Sequence, residues 1–183
     1  MASSSCFAFF ASWVLAFVVL TGFAGCIASQ IGLGSRFLAS KGLTWVSDNS
    51  TFAFGFAAAD TDDRMRELGI WFAEIPRDHP TMVWSANRES PVSNAILERD
   101  TTGNLVLMDG GIPIWTSNTF GGGVEAAVMA ESGNFILYNT NNHPAWQSFS
   151  QPSDTLLPNQ LLTDSSELTS SKSPSHSGYY VSH

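Results

Sequence analysis

Three tryptophans recur at an interval of 31 residues: Trp84 in VWSAN, Trp115 in IWTSN and Trp146 in AWQSF. Each is followed by small polar side chains, and two are preceded by near-copies of one phrase, GNLVLMD from Gly103 and GNFILYN from Gly133. A fixed period of this length is the mark of an internally repeated fold. The first copy is swollen. STFAFGF, Ser50 to Phe56, stands in for the phrase, and an insertion, AAADTDDRMREL, separates it from Trp84.

Within each copy, short β-favouring runs are broken by turn residues. Leu105 to Leu107 leads into Asp109-Gly110-Gly111 and then Ile112 to Trp115; Phe135 to Tyr138 leads into Asn139 to Asn142 and then Pro144 to Trp146. These are hairpin signals, and no segment holds a helical period. One unit is too short to bury its own apolar face, whereas three can bury theirs against each other. The pattern therefore predicts an all-β domain with pseudo-threefold symmetry, its core built on Trp84, Trp115 and Trp146. The insertion, Ala57 to Leu68, reads as a solvated loop. Its acidic run, Asp60 to Asp63, lacks the glycine and the distal glutamate of a calcium loop.

The first 28 residues carry no charge, and the strongest apolar run, Phe7 to Leu20, is short for a bilayer span. Small residues follow it, so residues 1–28 read as a signal peptide, with cleavage after Ala28 or Ser29 and a signal anchor as the alternative. Both cysteines, Cys6 and Cys26, fall in that segment, which leaves the mature chain without disulfides. The formal charge of -8 argues against nucleic acid and anionic membrane as partners. A membrane enters only through a longer form or the anchor. Asn49-Ser50-Thr51 is a glycosylation sequon suited to a secreted chain. Residues 164–183 are Ser-rich and read as a linker or tail. Kinase, nucleophile-elbow and metal-ligand motifs are not found, and the histidines at 79, 143, 176 and 183 are isolated. No catalysis, metal or cofactor is expected.

Four stretches, LGIWFAEI, VWSANRESPV, GNLVLMDGGIPIWTSN and WQSFSQPSDTLLPNQ, make residues 30–163 resemble the bulb-type (mannose-binding) lectin domain of plant G-type lectin S-receptor-like kinases and S-locus glycoproteins. The resemblance implies a β-prism of three four-stranded sheets. It also implies a sugar site on a strand, Gln-x-Asp-x-Asn-x-Val-x-Tyr, whose alternate side chains stand in a row toward one sugar. In the second unit those positions are Asp100, Thr102, Asn104, Val106 and Met108. In the third they are Ala130, Ser132, Asn134, Ile136 and Tyr138, and in the first Thr51, Ala53 and Gly55 take the last three. No copy is intact. The third is the best candidate for a mannose-type glycan, with Asn134 and Tyr138 as its main contacts, though weakened by the missing partners. The alternatives are protein recognition through loops such as Ala57 to Leu68, or a piece of a longer receptor kinase. A homodimer is compatible with either.

Overall fold

Alternation along the chain becomes alternation across a sheet. Ala95-Ile96-Leu97-Glu98-Arg99 buries every second residue, and Leu105-Val106-Leu107 does the same on the neighbouring strand. In the computed structural model, the described residues are 31–163 (apart from 43, 60–61 and 76–79) together with 168–169 and 179–180. The proposed signal segment and its cleavage point lie outside them.

Eleven strands build three antiparallel sheets. The first holds β2 (Thr44–Val46), β3 (Phe52–Ala59), β4 (Asp62–Phe72) and β5 (Met82–Ser85), in that order. The second runs β1 (Arg36–Leu38), β6 (Ala95–Arg99), β7 (Leu105–Asp109), β8 (Ile112–Thr116). The third runs β9 (Val124–Met129), β10 (Phe135–Asn139), β11 (Pro144–Gln147). The expected fourth strand of the third sheet is not formed among the described residues. A separate two-stranded ribbon, β12 (Leu168–Thr169) with β13 (Tyr179–Tyr180), lies in the segment expected to be a plain linker or tail. No helix among the described residues is long and apolar enough to cross a membrane.

The insertion is not a loop. Ala57 to Ala59 continues β3 and Asp62 to Leu68 opens β4, so the swollen copy is one long hairpin with a bulge after Ala58. Backbone pairing overrides the polar composition here, and Ala57, Ala59 and Glu67 are all buried. Asp62, from the acidic run, accepts hydrogen bonds from Nε, Nη2 and the backbone N–H of Arg64 at 2.9–3.1 Å.

The three sheets meet at the tryptophans. Trp84, Trp115 and Trp146 form a closed triangle, each pair edge-to-face, with ring centroids 5.9, 5.7 and 5.5 Å apart. That geometry sets ring edges against ring faces, the favoured aromatic arrangement. Around them Phe54 of the first sheet stacks on Phe135 of the third at 3.9 Å, and Phe37 of the second meets Trp45 of the first at 4.9 Å. Arg99, 1 % exposed, crosses the core to donate to the Ile31 carbonyl and to Val124 O at 2.9 Å. It thereby ties the N-terminal arm and the start of β9 to the second sheet. Burial depresses the affinity of its guanidinium for the proton, and the nearby Asp100 opposes that shift.

Candidate functional site

Each tryptophan sits opposite an aliphatic residue of the preceding strand: Ile70 opposite Trp84, Leu107 opposite Trp115, Leu137 opposite Trp146. One residue earlier the pairs are Gly69 with Ser85, Val106 with Thr116 and Ile136 with Gln147. This register makes β4, β7 and β10 equivalent, and it makes Glu67, Asn104 and Asn134 equivalent too.

At these three positions the repeated polar residues after each tryptophan find their partners. Ser85 Oγ donates to Glu67 Oε2 at 2.8 Å, Thr116 Oγ1 to Asn104 Oδ1 at 3.1 Å, and Asn134 Nδ2 to Gln147 Oε1 at 2.9 Å. The next residue closes the loop. Ser117 Oγ and Ser148 Oγ accept the Leu105 and Phe135 N–H groups at 3.0 Å; in the first copy that part falls to Asn87, one residue further on, whose Oδ1 accepts the Leu68 N–H at 2.7 Å. The WSAN, WTSN and WQSF phrases thus latch the loop after each tryptophan strand onto the strand before it, satisfying amides that would otherwise be buried unpaired.

The register also corrects the first unit of the sugar motif. Thr51, Ala53 and Gly55 lie at or on β3, one strand away from the equivalent position. On β4, the motif positions of Asn, Val and Tyr fall on Glu67, Gly69 and Trp71. A Cβ on Gly69 would come within 2.3 Å of Trp84 O, so the backbones approach too closely for any side chain there. Glu67 lies 4.0 Å from Arg88 Nε, and Arg88 also pairs with Asp154.

In the second unit Asp100 turns inward on its own loop. Its Oδ1 accepts Thr102 Oγ1 at 2.6 Å, Thr102 N at 2.8 Å and Asn104 N at 3.0 Å. Burial alone would raise its carboxyl, but these donors together hold it below the ordinary carboxylate range. Asn104 Oδ1 accepts Thr116 Oγ1, Ser117 Oγ and Thr119 N at 3.0–3.1 Å. Val106 and Met108 are half-buried on the outer face of β7, Val106 opposite Glu98 and Met108 opposite Ile96.

The third unit differs. Ser132 and Asn134 line an open cleft of about 590 Å³ together with Gln147, Phe149, Ser150 and Asn159. Asn134, 6 % exposed, accepts Ser148 Oγ and Phe149 N at 3.2 Å while donating one of its two amide hydrogens to Gln147. Gln147 Nε2 in turn donates to Ser150 Oγ at 3.2 Å. A primary amide has two donors and two acceptor lone pairs, so both amides keep hydrogen-bonding capacity beyond these contacts. Ile136 and Tyr138 lie farther along β10, Ile136 almost covered and Tyr138 half-buried opposite Ala126 and Pro144. They do not line the cleft, and Ala130, where the motif has Gln, lines a different groove. Gln147, Ser150 and Asn159 escaped the motif reading because they come from β11 and the segment beyond it. The signal available was Gln147 itself, the one long amide among the residues that directly follow the three tryptophans.

Asn49, at the exposed turn between β2 and β3, donates its N–H to Glu131 Oε1 at 2.6 Å. Its Oδ1 accepts Thr51 N at 2.9 Å and Ser47 Oγ at 3.0 Å.

Three antiparallel sheets around a tryptophan triangle, with a row of polar residues repeated at one level of each sheet, define a β-prism domain. The family model for D-mannose binding lectin matches residues 81–175, and the chain belongs to that family. A G-type lectin S-receptor-like serine/threonine-protein kinase of Arabidopsis thaliana is 58% identical over 156 residues, which cover 82% of this chain and 18% of the kinase. The S-locus-specific glycoprotein S6 of Brassica oleracea is 36% identical over 82% of this chain and 36% of its own length. Among solved structures, the Japanese Marasmius oreades lectin aligns over 66% of this chain and 90% of its own, at 20% identity and a TM-score of 0.47. The chain spans about a fifth of the length of the receptor kinases it matches.

Proposed function

We propose that this chain is a secreted or extracellular recognition module without catalysis, which binds mannose-type glycans weakly through the cleft of the third sheet. The observation that carries this reading is the convergence of Ser132, Asn134 and Gln147 on one open cleft, with amide capacity to spare for sugar hydroxyls. Family membership supports the ligand class. Weakness follows from the motif positions held by Ala130 and Ser132, since each lost polar partner costs about 1–3 kcal/mol. Isothermal calorimetry of the whole chain with mannose and a high-mannose glycan tests it. Millimolar binding reduced about tenfold by Gln147→Ala supports the cleft, a tenfold loss corresponding to about 1.4 kcal/mol. Binding that survives Gln147→Ala and falls with Val106→Ala moves the site to the second sheet. A folded chain silent to tens of millimolar sugar removes the activity.

A second reading, recognition of a protein partner, has its own observation. The β3–β4 hairpin runs 8 and 11 residues, against 5 each for β6 and β7. The extra length gives the first sheet a structure that the other two lack. Its test is a partner pull-down compared with a chain whose hairpin is cut to the length of β6–β7. Asn49 is the proposed glycan acceptor: its turn is exposed, and its side-chain oxygen is already engaged by Thr51 N–H. A mass shift on glycosidase treatment, absent in Asn49→Gln, is the expected result.

A further inference from the structure

Part of the cleft on the third sheet is built by the chain that follows β11. Asn159 and Leu161 line it together with Ser132, Asn134 and Gln147. Leu157 to Gln160 fold into a tight turn, closed by the Gln160 N–H on Leu157 O at 3.1 Å. Pro158 takes its second position and Asn159 its third, with φ of 67° at Asn159. A type II turn requires positive φ there and is least strained with glycine. Here the position carries a side chain. Gln160 locks the turn against the cleft: its Oε1 accepts the Leu157 N–H at 3.1 Å, and its Nε2 donates to Phe149 O at 3.2 Å. Phe149 lines the same cleft. With Pro158 fixing one backbone angle and Gln160 tying both ends, Asn159 stands on a preset frame. Its amide is exposed and takes no hydrogen bond among the described residues. Leu161, 82% exposed, and Phe149 add apolar surface to this part of the cleft, whose volume exceeds what a single pyranose ring fills.

We infer that Asn159, Leu161 and Phe149 form a subsite for an acetamido group, so that the cleft takes a glycan containing a 2-acetamido sugar. This rests on the reading of the cleft as a sugar site, but not on mannose as the sugar. Three arguments select the ligand. An acetamido group carries one N–H donor and one C=O acceptor side by side. The primary amide of Asn159 carries the complementary pair and can meet both at once, whereas a hydroxyl on the same ring carbon reaches only one of them at good geometry. The acetyl methyl is apolar, and Leu161 and Phe149 supply apolar surface for it to cover. A ring bearing hydroxyls alone would set polar groups against that leucine. The ring hydroxyls have their own partners nearby. Ser150 Oγ accepts Gln147 Nε2 at 3.2 Å and keeps its hydrogen to donate. Those hydroxyl partners favour a sugar over the amide of a peptide.

Glucose and N-acetylglucosamine differ only in the group on the second ring carbon, so the pair isolates the acetamido contact. The full chain is titrated with each, and with mannose, by ligand-observed NMR, and the saturation passed from protein to the acetyl methyl is recorded. The expected result is N-acetylglucosamine binding about tenfold more tightly than glucose, with the acetyl methyl among the most strongly saturated protons. Two substitutions then remove the two halves of the subsite. Asn159→Gly places the residue that the turn prefers, so folding is kept while the amide is lost. Leu161→Ser alters a side chain that the fold leaves in solvent. Each should cut the ratio of the two affinities by about threefold, and the double variant should bring it to about one. A folded chain that binds N-acetylglucosamine no better than glucose overturns the inference, and so does a preference that survives the double variant. Mannose binding in such a chain leaves the hexose role of the cleft standing. A preference that disappears in the variants, beside silence to mannose, supports the acetamido subsite and removes mannose as the ligand. Silence to every sugar overturns both.

Discussion

Asn104 and Asn134 occupy the same place in two sheets and are used differently. Asn104 spends its oxygen on three donors at the end of β8 and in the loop after it, whereas Asn134 divides its amide between the equivalent latch and Gln147. Replacing either with Ala leaves buried donors unpaired and should cost about 1–3 kcal/mol in a urea melt. Only Asn134→Ala should also weaken glycan binding. Asp100 makes a pH-dependent contribution. Its folded carboxyl lies below the unfolded value of about 3.9, so the stability it confers is fully present above that pH and is lost as pH falls toward the folded value. An NMR titration should show the Asp100 carboxyl ionising below a free aspartate, and Asp100→Ala should flatten the acid limb of stability. Both asparagines could be found in the sequence by their motif spacing. Their latching role could not, because their partners lie 12 to 15 residues onward, on the next strand and in the loop that follows it.

At the level of elements, the hairpins of the second and third copies were legible because their turns have local chemistry. Gly110 and Gly111 close β7–β8 with φ of 56° and 88°, the left-handed pair that a two-residue hairpin needs. Gly111→Val forces a β-branched residue into that region and should destabilise the chain by about 1–2 kcal/mol, measured by chemical denaturation. The first copy was misread for the opposite reason. AAADTDDRMREL has the composition of a loop, yet it forms strands because β3 and β4 pair residue for residue from Phe52–Phe72 to Ala58–Arg66, and again at Ala59–Asp62 beyond a bulge. The motif strand of that copy consequently moved from β3 to β4, a shift that only the pairing with Trp84 reveals.

For the whole molecule, the tryptophan triangle is the element on which all three sheets depend. Trp146→Ala should cost about 3–5 kcal/mol, since it opens a cavity at the point where the sheets converge. A Trp84/Trp115 double-mutant cycle should show a coupling of about 0.5–1.5 kcal/mol, the usual excess of an edge-to-face pair over its burial. The sequence by itself determined the all-β class, the triplication and the three tryptophans at its centre, because a repeat period and alternating burial are local patterns that survive in one dimension. The tertiary structure decided the rest: which strand of the first copy is equivalent to β7 and β10, that Gln147 rather than Tyr138 shares the cleft with Asn134, and that the third sheet has three strands among the described residues. Each of these is a pairing between residues far apart in the chain, and cross-strand register leaves no periodic trace in the sequence.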